Sequence, residues 1–234
     1  MSKSDVLDKG FIEVVDSLGN DLTVVNSARV SFGKRKTVWS ASDRRLCKYL
    51  AKHKHYSPFR HLQVQFHIKA PEFVMRQWYK HVVGIETTSN SSTKDHAWNE
   101  ISGRYVEYDE FYQPEVYRKQ SDDYKQASEG QFVDGEERQA HANWTQAHAM
   151  SLSAYKQMIK MGMAKEQARC ILPLTLYTEV YWTASFQAVM NFIELRNEKT
   201  AQIEIQEYAK SLLDLMSESF PKTTKIWSEA HGWL

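Results

Sequence analysis

The segment "HLQVQFHIK", His61–Lys69, alternates strictly: Leu62, Val64, Phe66 and Ile68 fall on one side, Gln63, Gln65, His67 and Lys69 on the other. A period of two sends successive side chains to opposite faces, so the spacing predicts a half-buried strand. "TLYTEVYWT" repeats the pattern, with Leu176, Thr178, Val180 and Trp182 on one side. "FIEVV", residues 11–15, reads as a short strand ending at a Ser17–Asn20 turn. Between these lie segments of helical period. Asn20 can cap a short helix carrying Leu22, Val25 and Ala28, and Ser40 with Asp43 forms a capping-box pattern ahead of Leu46 and Leu50. Pro71 fits the first position of a helix that aligns Val74 with Trp78. Trp144, Ala147, His148, Tyr155 and Ile159 mark a long helix. Ser185 can cap one with a Phe186, Val189, Met190 and Ile193 stripe, and a last helix runs from about Ala201 through Ile205, Leu212 and Met216.

Strands and helices are segregated and no repeat is present, which predicts an α+β fold: a small antiparallel sheet packed with helices. With 234 residues, 42% of them hydrophobic, one domain over 1–234 can bury a core. Residues 83–96, "VGIETTSNSSTKDH", lack periodicity and are expected to be a mobile insertion loop on the surface. A second polar region covers 119–137. Net charge is +1, so bulk charge makes no case for nucleic acid or an anionic membrane. No apolar run reaches the roughly 20 residues of a membrane span, and the opening MSKSDVLDKG lacks a signal-peptide core. A soluble cytoplasmic protein is expected.

The chemistry concentrates in "AWNEISGRYVEY", Ala97–Tyr108, which neither a core helix nor an alternating strand requires. Arg76, Arg104, Arg169 and Arg196 could form an anion clamp, since guanidinium forks pair with phosphate and imide edges. Arg169 and Arg196 are already accounted for as cations at helix C-terminal ends, the reading that spacing alone favours. His53, His55 and His61 lack the carboxylate or second histidine that a hydrolytic metal site adds, so no metal is expected. Nine glycines supply neither a dinucleotide fingerprint nor a phosphate loop. Of the two cysteines, Cys170 stands between Arg169 and the apolar Ile171–Leu172, which reads as a small core residue.

The quoted stretch resembles the S-x-N-E-x-S-G-R-Y part of the flavin-dependent thymidylate synthase signature. "DVLDKGFIEVVDSLGNDLTVVNSARVSF", "HYSPFRHLQVQFHIKAPEFVMRQW" and "EQARCILPLTLYTEVYWTASFQAVMNFIELRNEKTAQIEIQEYA" are similar to successive family segments, in the same order. The resemblance implies that family's fold, a homotetramer, and FAD held between subunits. It implies transfer of a methylene from methylenetetrahydrofolate to C5 of dUMP, hydride reduction to dTMP by reduced flavin, and NADPH as reductant. Arg196 matches the arginine that polarises uracil. The implied dUMP contacts are Arg76, Gln77, Lys80, Glu100, Ile101, Ser102, Gly103, Arg104 and Arg169 besides Arg196. Those implied for FAD are Ser31, His55, Ser57, Lys80, His81, Val82, Asn99, Glu100, Ser185, Gln187 and Asn191.

The chain departs from the family pattern at three places. Lys80-His81-Val82 stands for R-H-R, Arg60 for an acid in H-x-S/T-P-F-E-H, and Ser185 and Gln187 for Asn and Arg. Arg60, with Lys80 and Lys94, is therefore expected to take over part of the flavin phosphate contact. The alternatives are a variant making 5-hydroxymethyl-dUMP, a non-catalytic nucleotide- or flavin-binding protein, and a helical scaffold.

Overall fold

The computed structural model describes residues 2–79, 81, 97–107 and 109–233. Two hairpin-related strands open the chain, β1 (Lys3–Val6) and β2 (Gly10–Leu18), followed by helices α1 (Asp21–Arg29) and α2 (Ala41–Lys52). Strand β3 (Gln63–Pro71) leads into α3 (Glu72–Trp78), and β4 (Ala97–Glu100) follows. A separate ribbon, β5 (Arg118–Gln120) with β6 (Ser128–Gln131), precedes the long α4 (Asp134–Lys160) and the single turn α5 (Lys165–Ala168). Then come β7 (Tyr177–Ser185), α6 (Phe186–Arg196), α7 (Ile203–Ser219) and α8 (Pro221–His231). The main sheet has five antiparallel strands in the order β1-β2-β3-β7-β4, so the alternating segment forms its middle.

The period-two pattern decides which face is dry. Val64, Phe66, Ile68 and Ala70 of β3 are fully buried, and Val180 and Trp182 of β7 continue the same face. Trp78 of α3 stacks on Phe192 of α6 at 4.4 Å and meets Trp182 edge-on at 5.5 Å. Burying side chains of this size contributes about 1.5–3 kcal/mol each, so this helix-on-sheet contact is a substantial part of the core. Tyr208 of α7 closes its edge, donating to the Lys69 carbonyl at 2.7 Å. A Cβ at Gly10 would lie 2.0 Å from that hydroxyl oxygen, so only glycine lets β2 pass beneath.

Three expectations change. Pro71 is the last residue of β3 and flanks α3, which begins at Glu72; the first two amides of α3 bond to the carbonyls of Leu176 and Leu174. The expected last helix is two, because Pro221 has no N–H to continue α7 and restricts Phe220 to a non-helical conformation. Ala97–Glu100, unpatterned in sequence, is an edge strand whose order comes from pairing with β7. Within α4 only Tyr155 is buried. No helix is long and apolar enough to cross a membrane, and no cluster of three potential metal ligands occurs among the described residues. The expected loop 83–96 lies outside the described residues.

Candidate active site

The end of β4 builds one side of a cavity. Glu100 sits opposite Val180 and accepts from the Thr178 hydroxyl at 2.7 Å, and the Ile101 amide bonds to the Glu179 carbonyl at 2.9 Å. The chain then turns on itself, with the amides of Tyr105 and Val106 both donating to the Ser102 carbonyl and Gly103 buried inside the turn. Because the first amides of α3 are tied to residues 174–176, Arg76 on its exposed face comes opposite Arg169. Together with Glu72, Glu100, Ile101 and Cys170 they line a cavity of about 380 Å³.

Glu72 was not anticipated. Burial and the neighbouring Glu100 raise its carboxyl above the usual range, against the pull of Arg76 and Arg169. Its i, i+4 spacing from Arg76 was the available signal. Cys170 is corrected from core to surface: it is exposed, and its thiol donates to the Glu166 carbonyl at 3.3 Å. Gln77, Ser102, Gly103 and Arg104 stand outside the cavity lining. Gln77 donates to Gln202 at 2.8 Å, and the Arg104 guanidinium lies over the Tyr105 ring at 5.6 Å.

Arg196, the last residue of α6, does not join Arg76 and Arg169 in that cavity. Its Nε donates to Nε2 of His81 at 2.8 Å, and the His81 ring meets Phe192 edge-on. Burial, assisted by the Arg196 charge, pushes the His81 pKa down to about 4. His81 is therefore a neutral acceptor carrying its proton on Nδ1. The arrangement fixes one edge of the guanidinium and leaves its charge without an ion-pair partner among the described residues. The four arginines do not form one clamp within this chain.

A third group of residues gathers at the other end of α6. Ser185 is the N-cap and accepts from the Ala188 amide at 3.2 Å. Gln187 is buried and accepts from Arg60 Nε at 2.7 Å, joining two positions where the sequence departs from the family pattern. Arg60 belongs to the 3-10 turn Ser57–His61, which Phe59 anchors against Phe186. Its terminal nitrogens form no ion pair among the described residues. Asn191 is one helical turn beyond Gln187, and His55 and Ser57 are exposed nearby in sequence. Ser31 is held in the 3-10 turn Val30–Phe32 after α1. Asn99 faces Tyr181 on β4. Lys80, Val82 and Lys94 lie outside the described residues.

Ser185 is five residues along β7 from Val180, the partner of Glu100. At strand rise that separates the Arg60–Gln187 group from the Arg76–Arg169 cavity by about 17 Å.

The profile of the thymidylate synthase complementing protein family matches residues 13–222. A flavin-dependent thymidylate synthase of Thermus thermophilus is 43% identical over 226 residues, 96% of this chain and 77% of that protein. One from Thermosipho africanus is 40% identical, over 93% of this chain and 90% of its own length. Among solved structures, the UMP/dUMP methylase PolB from Streptomyces cacaoi bound with 5-Br UMP superposes with a TM-score of 0.80 at 27% identity, over 96% of both chains. The same methylase bound with 5-Br dUMP gives 0.81 at 26% identity. A match of this extent, in sequence and in fold, shows that the chain belongs to the flavin-dependent thymidylate synthase family.

Proposed function

We propose that this enzyme methylates dUMP at C5 to give dTMP, taking the one-carbon unit from methylenetetrahydrofolate and reducing equivalents from NADPH through FAD. The observation that carries this reading is the cavity between α3, β4 and the 3-10 turn Arg169–Ile171, which Arg76 and Arg169 line together with Glu100 and Ile101. Arg76 and Arg169 suit the 5′-phosphate, with the Ser102–Arg104 turn beside them, and Glu100 suits a sugar hydroxyl or the imide edge. A relative of the same fold holds a 5-bromo derivative of UMP or dUMP.

Uracil is a poor nucleophile at C5 until electron density is pushed into the ring. Arg196 is the group suited to that role, because it stays cationic and His81 orients its fork without neutralising it. Cys47 cannot supply the alternative of thiolate addition at C6, because burial, aided by Asp21, pushes its thiol up to about 12. FAD, when bound, supplies the hydride that completes the methyl group. Arg60, Ser57, Ser185, Gln187 and Asn191 would hold its diphosphate and ribityl portions, and His55 one of its rings. In a homotetramer the nucleotide of one chain could meet the flavin of another, which would close the separation between this group and the Arg76–Arg169 cavity.

Incubation with dUMP, methylenetetrahydrofolate, FAD and NADPH, followed by mass analysis of the nucleotide, tests the reading. dTMP supports it. 5-Hydroxymethyl-dUMP would mean that water, not hydride, ends the transfer, and bound but unchanged dUMP would mean a binding protein.

A further inference from the structure

Ten of the chain's 30 basic residues fall within residues 29–61, beside one of its 29 acidic residues, Asp43. The segment carries +9 in a chain of net +1, so the remaining residues carry −8. Its single carboxylate is buried and already paired with Arg29 and Lys36. Helix α2 displays much of the excess. Asp43, Cys47, Leu50 and Ala51 face inward, while Arg45, Lys48, Tyr49 and Lys52 form an exposed stripe on the opposite side. The stripe spans about 10 Å of helix axis, with cations roughly 5 Å apart. Lys48 lies 3.7 Å from Glu229, but Arg45 and Lys52 have no ion-pair partner among the described residues. Like charges at this spacing destabilise a helix, so the fold itself gives no reason for them.

The stripe also leads somewhere. At its C-terminal end the Tyr49 ring lies against His53 at 4.3 Å and near His55 at 6.0 Å. The next turn carries Arg60 to Gln187 at the N-terminus of α6. A cationic track therefore ends at the residues assigned above to the flavin.

We propose that this track binds the γ-linked glutamate tail of the reduced folate donor, a reading that rests on the function proposed above. Among the reactants only that tail is a repeating anion. The phosphate of the nucleotide is matched by Arg76 and Arg169, in a cavity that the track does not enter. Carboxylates repeating along an extended chain match cations repeating along one helix face, with the pterin end directed toward the flavin residues. A long polyanion such as nucleic acid would extend beyond the stripe onto a protein whose other residues sum to −8.

The experiment compares monoglutamyl and pentaglutamyl methylenetetrahydrofolate as donors for the FAD-loaded enzyme, and measures binding of penta-γ-glutamate alone. The pentaglutamyl donor should show a KM about tenfold lower at low ionic strength, the difference collapsing near about 0.5 M salt. Arg45→Gln/Lys52→Gln should remove that preference and the peptide binding, leaving kcat and the KM values for dUMP and the monoglutamyl donor unchanged. Equal KM values for the two donors in the parent would overturn the proposal, as would a preference that survives in the variant. An oligonucleotide that binds this face while the donors remain indistinguishable would make it a nucleic-acid surface. A changed sedimentation coefficient in the variant would make it a contact between copies. If no donor gives product but penta-γ-glutamate binds the parent and not the variant, the function fails and the surface stands. If the peptide does not bind the parent, the surface itself is wrong.

Discussion

Arg196 can polarise a uracil ring only if its guanidinium is held in place while its charge stays unneutralised, and a neutral histidine does both. His81 accepts through Nε2, and with its pKa near 4 it remains neutral throughout the physiological range. Arg196→Ala should lower dTMP formation by about 10²–10³-fold with unchanged circular dichroism, as for a lost charge-stabilising donor. Arg196→Lys should also be poor, because a point charge replaces a fork. Near-normal turnover in the alanine variant would remove Arg196 from the chemistry. The sign of the pH effect follows from the lowered His81 pKa. The unfolded chain takes up that proton below about 6.5 and the folded chain only near 4, so the contribution to stability is lost as pH falls through this window. The thiols give a separate test. Cys47→Ala/Cys170→Ala should keep measurable methyl transfer, less any stability lost on truncating the buried Cys47; a well-folded double variant with no turnover would require a thiol nucleophile. At this scale the sequence left the arginines with two readings, anion clamp or helix end, and only Arg76 and Arg169 come together in one cavity. Their partners were not legible: nothing local links His81 to Arg196 or turns Cys170 outward, and both depend on how α3 and the Arg169 turn meet β7.

Among the elements, those with a strong period could be read directly. β3, β7, α2 and α6 bury the faces their spacing marks, and the Ser40–Asp43 capping box is formed as its pattern implies. β1, β4, β5 and β6 have three or four residues each, too few to show a period, so a neighbouring strand rather than their own pattern defines them. Two elements position the residues proposed to meet flavin, and each supports a prediction. Burial alone would raise the Asp43 carboxyl, but hydrogen bonds from Ser40 and the Arg29 guanidinium hold it at about 2. It joins the start of α2 to α1 and to Lys36, whose backbone is clamped by Asn26, so the loop after Ser31 depends on it. Asp43→Ala should cost about 3–5 kcal/mol in denaturant unfolding, because Arg29, its side chain only 14% exposed, is left without its partner. In the parent this contribution should be present above pH 4 and lost toward pH 2. The Arg60–Gln187 contact concerns charge instead. Arg60→Glu removes a cation fixed at the α6 N-terminus, and FAD should bind about tenfold more weakly or worse, a loss of roughly 1–3 kcal/mol. Flavin titration at two salt concentrations measures this. Equal affinity at low salt would mean that backbone donors, His55 and Asn191 carry the phosphates.

At the scale of the whole molecule, the two groups of residues proposed for nucleotide and flavin lie apart on one chain. The Arg76–Arg169 cavity opens beside β4, whereas the Arg60–Gln187 group sits at the far end of β7, about 17 Å away by strand rise. A hydride cannot cross such a gap, since reacting atoms must come within about 3–3.5 Å. Either FAD reaches along a single chain, or the nucleotide of one chain meets the flavin held by another. These geometries differ in what happens when two inactive proteins are mixed. Arg169→Ala disables the nucleotide side and Arg60→Glu the flavin side, and each alone should have little activity at limiting FAD and dUMP. If sites are shared, dissociating and reassociating equal amounts of both variants should rebuild roughly a quarter of the sites with both halves intact, since each half is then drawn independently. Activity should rise to that fraction of the parent, and each unmixed variant taken through the same procedure should stay low. If every site is built within one chain, each remains defective in one half and mixing restores nothing. Exchange must be verified by mass analysis of differently tagged chains. Full exchange without recovered activity would rule out the shared site.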